Sequence, residues 1–178
     1  MNSKLFVFFT LLIVGIASRL VPHEPNFVAV GAVSMVAGYY FSKKVALLLP
    51  ASIMIISDCV LGFHATMPWV YGSFIAIALG SHLLKNKLHI TNVIALSFAS
   101  SFAFFVTTNF GVWIATELYM KNFSGLVECY YYALPFFRNT VLSDLFYSGI
   151  FFSAIYFAQN KNFLTQIRLR KIMGFCFQ

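Results

Sequence analysis

Residues 45–62 read VALLLPASIMIISDCVLG, and Asp58 is the one charged residue among these eighteen. An α-helix needs about 20 mainly apolar residues to cross the ~30 Å hydrocarbon core of a bilayer, so this stretch predicts a membrane-spanning helix. An ionised side chain inside a membrane costs about 2.5–3.5 kcal/mol even on the most lenient scale. Asp58 is therefore expected to have a partner or to face a polar cavity.

Five further apolar stretches, bounded by charges, Pro or Asn, accompany this one. The six predicted spans are residues 5–20, 27–41, 45–62, 68–84, 91–118 and 138–158. The chain of 178 residues is 60% hydrophobic and only 10% charged, whereas soluble domains carry about 25% charged residues. This composition excludes a soluble enzyme or nucleic-acid-binding domain and predicts an all-α integral membrane protein with six transmembrane helices.

The distribution of positive charge predicts the orientation. If the chain crosses six times, nine of the twelve Lys and Arg residues fall on one side, and Arg19, Lys121 and Arg138 fall on the other. The positive-inside rule then places both termini in the cytoplasm and the protein in the cell inner membrane. The transmembrane domain is predicted to cover residues 1–160. The basic tail, residues 161–178, is expected to be an amphipathic surface helix or a solvated end.

The N-terminal stretch also fits a signal peptide. Lys4 precedes an apolar run, and Gly15 and Ala17 are small enough for a cleavage site. An uncleaved helix is favoured because it keeps the number of spans even and places Arg19 among the other outer polar residues. Cleavage would leave the other five spans oriented as before.

The segment between the fifth and sixth spans, residues 119–137, is predicted to be a long loop. It is rich in aromatic side chains, among them Tyr130 and Phe136. Aromatic rings favour the membrane–water interface. The loop is therefore expected to fold back as a lid over the outer end of the bundle.

Polar residues collect at the predicted outer ends of the spans. With a rise of 1.5 Å per residue, Arg19 and Asp58 lie about 20 Å from the inner ends of their helices. Pairing of Arg19 or Arg138 with Asp58 or Asp144 would tie helices together, but a polar, aromatic-lined chamber open to the outside accounts better for the whole set. Its predicted substrate-binding residues are Arg19, His23, Asn26, Asp58, His64, Asn109, Trp113, Tyr130, Phe136, Asn139 and Asp144.

A metal site is an alternative to this chamber. His23, Glu24, Asp58 and His64 carry the right ligand atoms, but no HxxxH or similar spacing joins them. The three cysteines are far apart and form no CxxC pair. The sequence therefore predicts no metal and no cofactor.

Several strings carry a family resemblance: RLVPHEPNF at 19–27, SDCVLGFH at 57–64, TNFGVW at 108–113, GLVECY at 125–130, PFFRN at 135–139 and SDL at 143–145. In these the chain resembles a bacterial family of uncharacterised membrane proteins described as transport proteins, over nearly its whole length. The six-helix layout of that family is similar in turn to the substrate-binding S components of energy-coupling-factor (ECF) vitamin transporters.

The resemblance implies capture of a small, vitamin-like molecule from the outer face, under the first outer loop and the loop before the last helix. It also implies a toppling motion driven by a shared transmembrane subunit and two ATPases. The Ala-x-x-x-Ala docking pattern frequent on the first helix of S components is missing, so a solitary transporter stays an alternative. The residues that match the family strings are Arg19, His23, Asn26, Asp58, His64, Asn109, Trp113, Asn139 and Asp144.

Three functions from different classes follow. The first is a substrate-binding transport subunit in which Arg19 holds an anionic group and Trp113 a ring face. The second is an intramembrane enzyme using Asp58 and Asp144, although neither follows the Gly-x-Gly of aspartyl intramembrane proteases. The third is a structural or assembly subunit. The sequence favours the first, with a small molecule, the lipid bilayer and an ATPase-bearing membrane module as partners, and no nucleic acid.

Overall fold

The computed structural model describes residues 3–85 and 90–159, and these residues are helical apart from their connections. The tail 161–178 lies outside them. Six helices follow in order: α1 (Ser3–Leu20), α2 (Val30–Tyr40), α3 (Lys43–Leu61), α4 (Met67–Leu84), α5 (Ile90–Ala115) and α6 (Phe123–Gln159). The first five predicted spans match α1 to α5 to within three residues at each end, and the prediction of an all-α protein is confirmed over the described residues.

Four helices are long and apolar enough to cross a membrane: α3, α4, α5 from Asn92 and α6 as far as Phe157. Large apolar side chains such as Leu48, Val60 and Phe102 are more than half exposed on the outside of the bundle. In water such a surface would aggregate, whereas lipid accommodates it. The length and apolar character of these helices indicate a multi-pass membrane protein.

Helix α2 forms the centre of the fold. Residues Val30–Gly38 are all buried, and all five other helices pack against this one. At 1.5 Å per residue its eleven residues extend only about 17 Å. A short helix that is apolar on every side has no face to present to water, so the surrounding helices must enclose it.

The closest contact of α2 is with α4. A Cβ at Gly38 would overlap the backbone oxygen of Ala78, so only glycine allows this approach. Two side chains of α4 then donate to carbonyls of α2: Ser81 Oγ to Met35 O at 2.6 Å and His82 Nδ1 to Gly38 O at 3.0 Å. Small residues thus bring two backbones together and polar side chains fix them, as is usual between membrane helices.

Helix α6 differs from its prediction. It runs for 37 residues, about 55 Å, and begins at Phe123, so the prediction of a loop over 119–137 is wrong from residue 123 onward. The Asn122 side chain caps the helix, because its Oδ1 accepts the Gly125 N–H at 2.8 Å. Pro135 lies inside the helix. It forfeits the bond to the Tyr131 carbonyl, which a well-packed membrane helix tolerates.

Substituting Gly38 by Ala tests the α2–α4 contact. The added methyl group meets backbone, which cannot rotate away, so we expect a loss of about 1–3 kcal/mol in the free energy of unfolding. Titration with SDS in detergent micelles measures it. Gly80→Ala is the matched control, because a Cβ at Gly80 has no neighbour within 4 Å. Equal stability of the two variants would contradict the close approach.

Candidate ligand-binding cavity

Three connections, residues 21–29, 62–66 and 116–122, meet at one end of the bundle, where a cavity of about 400 Å³ opens. This volume lies within the ~300–1,000 Å³ typical of small-molecule sites. The cavity is bounded by the first connection, the start of α4, the end of α5 and the start of α6. Its lining residues are Pro25, Asn26, Thr66, Val70, Phe104, Thr108, Asn109, Val112, Leu118, Tyr119, Cys129, Tyr132, Ala133 and Phe136.

One wall of the cavity is a single face of α6. Cys129, Tyr132, Ala133 and Phe136 follow one another at spacings of three, one and three residues, which places them together on one side of a helix. The buried Cys129 thiol donates to the Asn109 carbonyl of α5 at 3.4 Å. The wall is therefore fixed to its neighbour rather than free to swing.

The roof of the cavity is the connection between α1 and α2. Asn139 Nδ2 of α6 donates to Pro25 O at 3.0 Å, and Ser143 Oγ lies 3.5 Å from Asn26 O. Asn26 has a φ of 63°, in the left-handed region that asparagine tolerates better than most residues. Asn26 is thus part of the roof, and Asn139 holds the roof in place through Pro25. Both residues are predicted to bind substrate.

A second, smaller void of about 20 Å³ adjoins the first and shares Asn26 and Phe104 with it. It is lined by Thr140, Ser143 and Asp144 on the α6 side. A void of this size with several polar groups has room for one water molecule. The small void therefore lies between the lining of the large cavity and the Asp144 carboxyl group.

The Asp144 carboxyl group is 2% exposed and lies against the start of α2, beside Gly31. Its Oδ2 accepts the Ser101 hydroxyl of α5 at 2.7 Å, and the group faces the backbone N–H of Ala32, in the position of a capping acceptor. A Cβ at Gly31 would overlap Asp144 Oδ1, so glycine makes room for the carboxylate. An acidic group at a helix N-terminus satisfies an otherwise unpaired donor and complements the helix dipole.

Arg19 and Asp58 form an ion pair elsewhere, between α1 and α3. Arg19 Nη2 lies 2.8 Å from Asp58 Oδ1, with side-chain exposures of 14% and 1%. Arg19 Nη1 donates to Ser57 Oγ, and the Tyr71 hydroxyl of α4 donates to Asp58 Oδ2 at 2.7 Å. Oδ1 accepts no well-directed hydrogen bond, alone among the buried side-chain N and O atoms of the described residues. The pair joins three helices, and neither residue lines the two cavities described above.

The predicted site residues therefore separate into groups. Asn26, Asn109 and Phe136 line the large cavity, and Asp144 lines the small void. Arg138 is exposed, and within the described residues no ion pair joins it to Asp144, whose Oδ2 accepts the Ser101 hydroxyl instead.

The other four predicted residues do not line either cavity, and each bonds within its own connection or to a neighbouring connection or helix. His23 Nδ1 lies 2.7 Å from Glu24 O, and His64 Nδ1 lies 2.8 Å from Thr66 Oγ1. On the helices, Trp113 Nε1 donates to Met120 O at 2.9 Å and the Tyr130 hydroxyl to Val106 O at 2.7 Å. Within the part of the chain that the structure describes, no three His, Cys, Asp or Glu side chains come together as metal ligands.

The sequence reasoning missed most of the cavity wall. The prediction of a loop over residues 119–137 gives no reason to place Cys129, Tyr132 and Ala133 on one face, because helical spacing applies only within a helix. Read as a helix, their spacing would have identified one face. Tyr119 does lie in the α5–α6 connection, where burial raises the pKa of its phenol above the usual value, so it stays neutral.

The ion pair gives a first prediction for this region. Asp58→Asn leaves the Arg19 charge largely buried without a counter-charge, so we expect a loss of about 3–5 kcal/mol of unfolding free energy. The double variant Arg19→Met, Asp58→Asn removes both charges and keeps an acceptor for Tyr71, so most of the loss should be recovered. SDS titration of the single and double variants measures both. A double variant no more stable than Asp58→Asn would contradict the ion pair.

The contact of Asp144 with the start of α2 gives a second prediction. In Asp144→Asn the amide oxygen still accepts the Ala32 N–H, whereas Asp144→Leu leaves that donor buried and unpaired. We expect the Leu variant to lose about 1–3 kcal/mol more than the Asn variant in the same titration. Equal losses would mean that the charge of Asp144, not its capping oxygen, carries the stability.

No curated protein and no solved structure matches the chain. Residues 1–167 match the family described as Family of unknown function (DUF6580). This match covers more than nine-tenths of the 178 residues. The chain therefore belongs to DUF6580, a family whose function is unknown.

Proposed function

We propose that the protein is a substrate-binding subunit for membrane transport, similar to an S component, that captures a small metabolite from the outer face. The observation that carries the proposal is the 400 Å³ cavity at the end of the bundle where the three connections meet. It combines aromatic walls with a few polar groups, which is the usual make-up of a small-molecule site. A subunit that only ties helices together has no need of such a cavity.

The proposed topology has six crossings, with both termini in the cytoplasm and the cavity facing outward from the inner membrane. Four helices are long enough to span by themselves. The short α2 makes its crossing inside the bundle, sheltered from lipid by the other helices. Lys43 and Lys44, at the start of α3, then lie on the cytoplasmic side together with the terminus of α1, as the positive-inside rule requires.

The two buried aspartates support a structural role rather than catalysis. Asp58 is held by Arg19 and Tyr71, and Asp144 is held by Ser101 and the α2 backbone. A pair of catalytic carboxylates shares a site and a proton, whereas these two belong to different helix contacts. The structural subunit is thus the second candidate, and these contacts favour it.

A module with ATPases would supply the energy, because the chain has no GxxxxGK[ST] phosphate loop. Gly15 of α1 faces inward, where a Cβ would overlap Ile53 of α3. It therefore serves internal packing, and any docking surface for a partner on α1 lies on its other side, where Ala17 is exposed.

Filling the cavity tests the proposal. Ala133 is buried in the cavity wall, so Ala133→Phe occupies ligand space. We expect wild-type protein to retain a small molecule through purification, detectable by mass spectrometry after denaturation, and Ala133→Phe to lose it. Cells producing the wild type should also deplete that molecule from the medium faster than cells producing the variant.

Ala103→Phe is the matched control, because Ala103 of α5 is exposed and lines neither cavity. It should keep both the bound molecule and the uptake. If the Ala133→Phe protein elutes as a folded monodisperse species and still retains the molecule, the cavity is not the site. If nothing is bound by the wild type, the structural candidate is favoured.

A further inference from the structure

We infer that the ligand of this cavity is an uncharged, planar ring compound that donates at least one N–H or O–H hydrogen bond to Asn109. This inference rests on the proposed function and adds the chemical class of the substrate. It replaces the expectation from the sequence that Arg19 holds an anionic group.

The first argument is charge. Among the described residues, none of those lining the cavity is Asp, Glu, Lys, Arg or His. Arg19 is engaged by Asp58, and Lys121 donates to the carbonyls of Trp113 and Thr116 at the end of α5. Glu128 is exposed and lines neither cavity. The Asp144 carboxyl group lines only the small void, where it accepts the Ser101 hydroxyl. An ionised ligand in the large cavity would leave water without a counter-charge among the residues that line it, which is strongly unfavourable.

The second argument is shape. Aromatic side chains line the cavity from three elements: Phe104 of α5, Tyr119 of the connection, and Tyr132 and Phe136 of α6. Phe104 is itself held against Phe74 of α4, with ring centroids 5.0 Å apart and an angle of 30°. A ring fixed in this way, together with the other aromatic rings of the lining, favours a flat partner that stacks or meets them edge to face.

The third argument is the hydrogen-bonding capacity that remains. The Thr108 hydroxyl already donates to Phe104 O at 2.8 Å, and the Cys129 thiol donates to the Asn109 carbonyl. Asn109 Nδ2 donates to Phe105 O at 2.7 Å. This fixes the orientation of the amide, because only its nitrogen can donate to a carbonyl, and it leaves Oδ1 as an acceptor without a partner in the described chain. This oxygen is therefore available to accept an N–H or O–H from the ligand.

The test begins with the wild-type protein. Molecules retained after purification, or after equilibration with an extract of rich medium, are released and identified by mass spectrometry. A planar compound that is neutral at pH 7 and has an N–H or O–H is expected. A retained anion or cation overturns the inference and leaves the proposed function standing. The absence of any retained molecule counts against the proposed function itself.

Asn109→Asp then tests the contact, with the identified compound as the titrant. The carboxylate places a charge in the neutral cavity and cannot donate to Phe105 O, so the dissociation constant should rise at least tenfold. Asn122→Asp is the matched control, since it adds the same charge at the same end while its carboxylate keeps capping α6. It should leave the dissociation constant unchanged.

Tyr132→Phe supplies a second variant should Asn109→Asp fold poorly. It removes one hydroxyl from the wall and keeps the ring, so binding should persist with a change smaller than that expected for Asn109→Asp. An unchanged dissociation constant in a folded Asn109→Asp protein would remove Asn109 from the site.

Discussion

The structure depends on which groups accept hydrogen bonds from the backbone N–H groups at the start of α2. A helix that begins inside an apolar bundle exposes backbone N–H groups that neither lipid nor bulk water can bind. The Asp144 carboxyl group reaches across from α6 and faces one of them, the N–H of Ala32, and Gly31 leaves the space for it. With this end satisfied, the helix can sit at the centre of the fold, and all the other helices can pack against it.

Other ionisable side chains near the core also have partners within the bundle. Among the described residues, Arg19 and Asp58 form an ion pair, and the Asp144 carboxyl group is held by Ser101. Lys121 binds the carbonyls at the end of α5. These groups are engaged in joining parts of the bundle, and no charged side chain lines the large cavity. The neutral character of the cavity is thus a consequence of how the bundle is held together.

Much of the fold could be predicted from hydropathy, because a spanning helix is a property of a local stretch of sequence. The ends of α1 to α5 follow from it. The beginning of α6 does not follow from hydropathy, because Pro135 and the surrounding aromatic residues are typical of an interfacial loop. Packing against α5 keeps them helical. The sequence predicts that Asp58 needs a partner or a polar cavity, and it offers Arg19 as one of two possible arginine partners. The cap on α2 depends on contacts across more than a hundred residues of chain, which no local pattern contains.

The length of α6 has a mechanical consequence. The face that forms the cavity wall and the carboxylate that caps α2 lie on one continuous rod, with Pro135 between Ala133 and Asp144. Proline is the usual place for such a rod to bend, since one backbone bond is missing there. The angle of the helix at Pro135 therefore sets the position of the cavity wall relative to Asp144 and, through Asp144, relative to the start of α2.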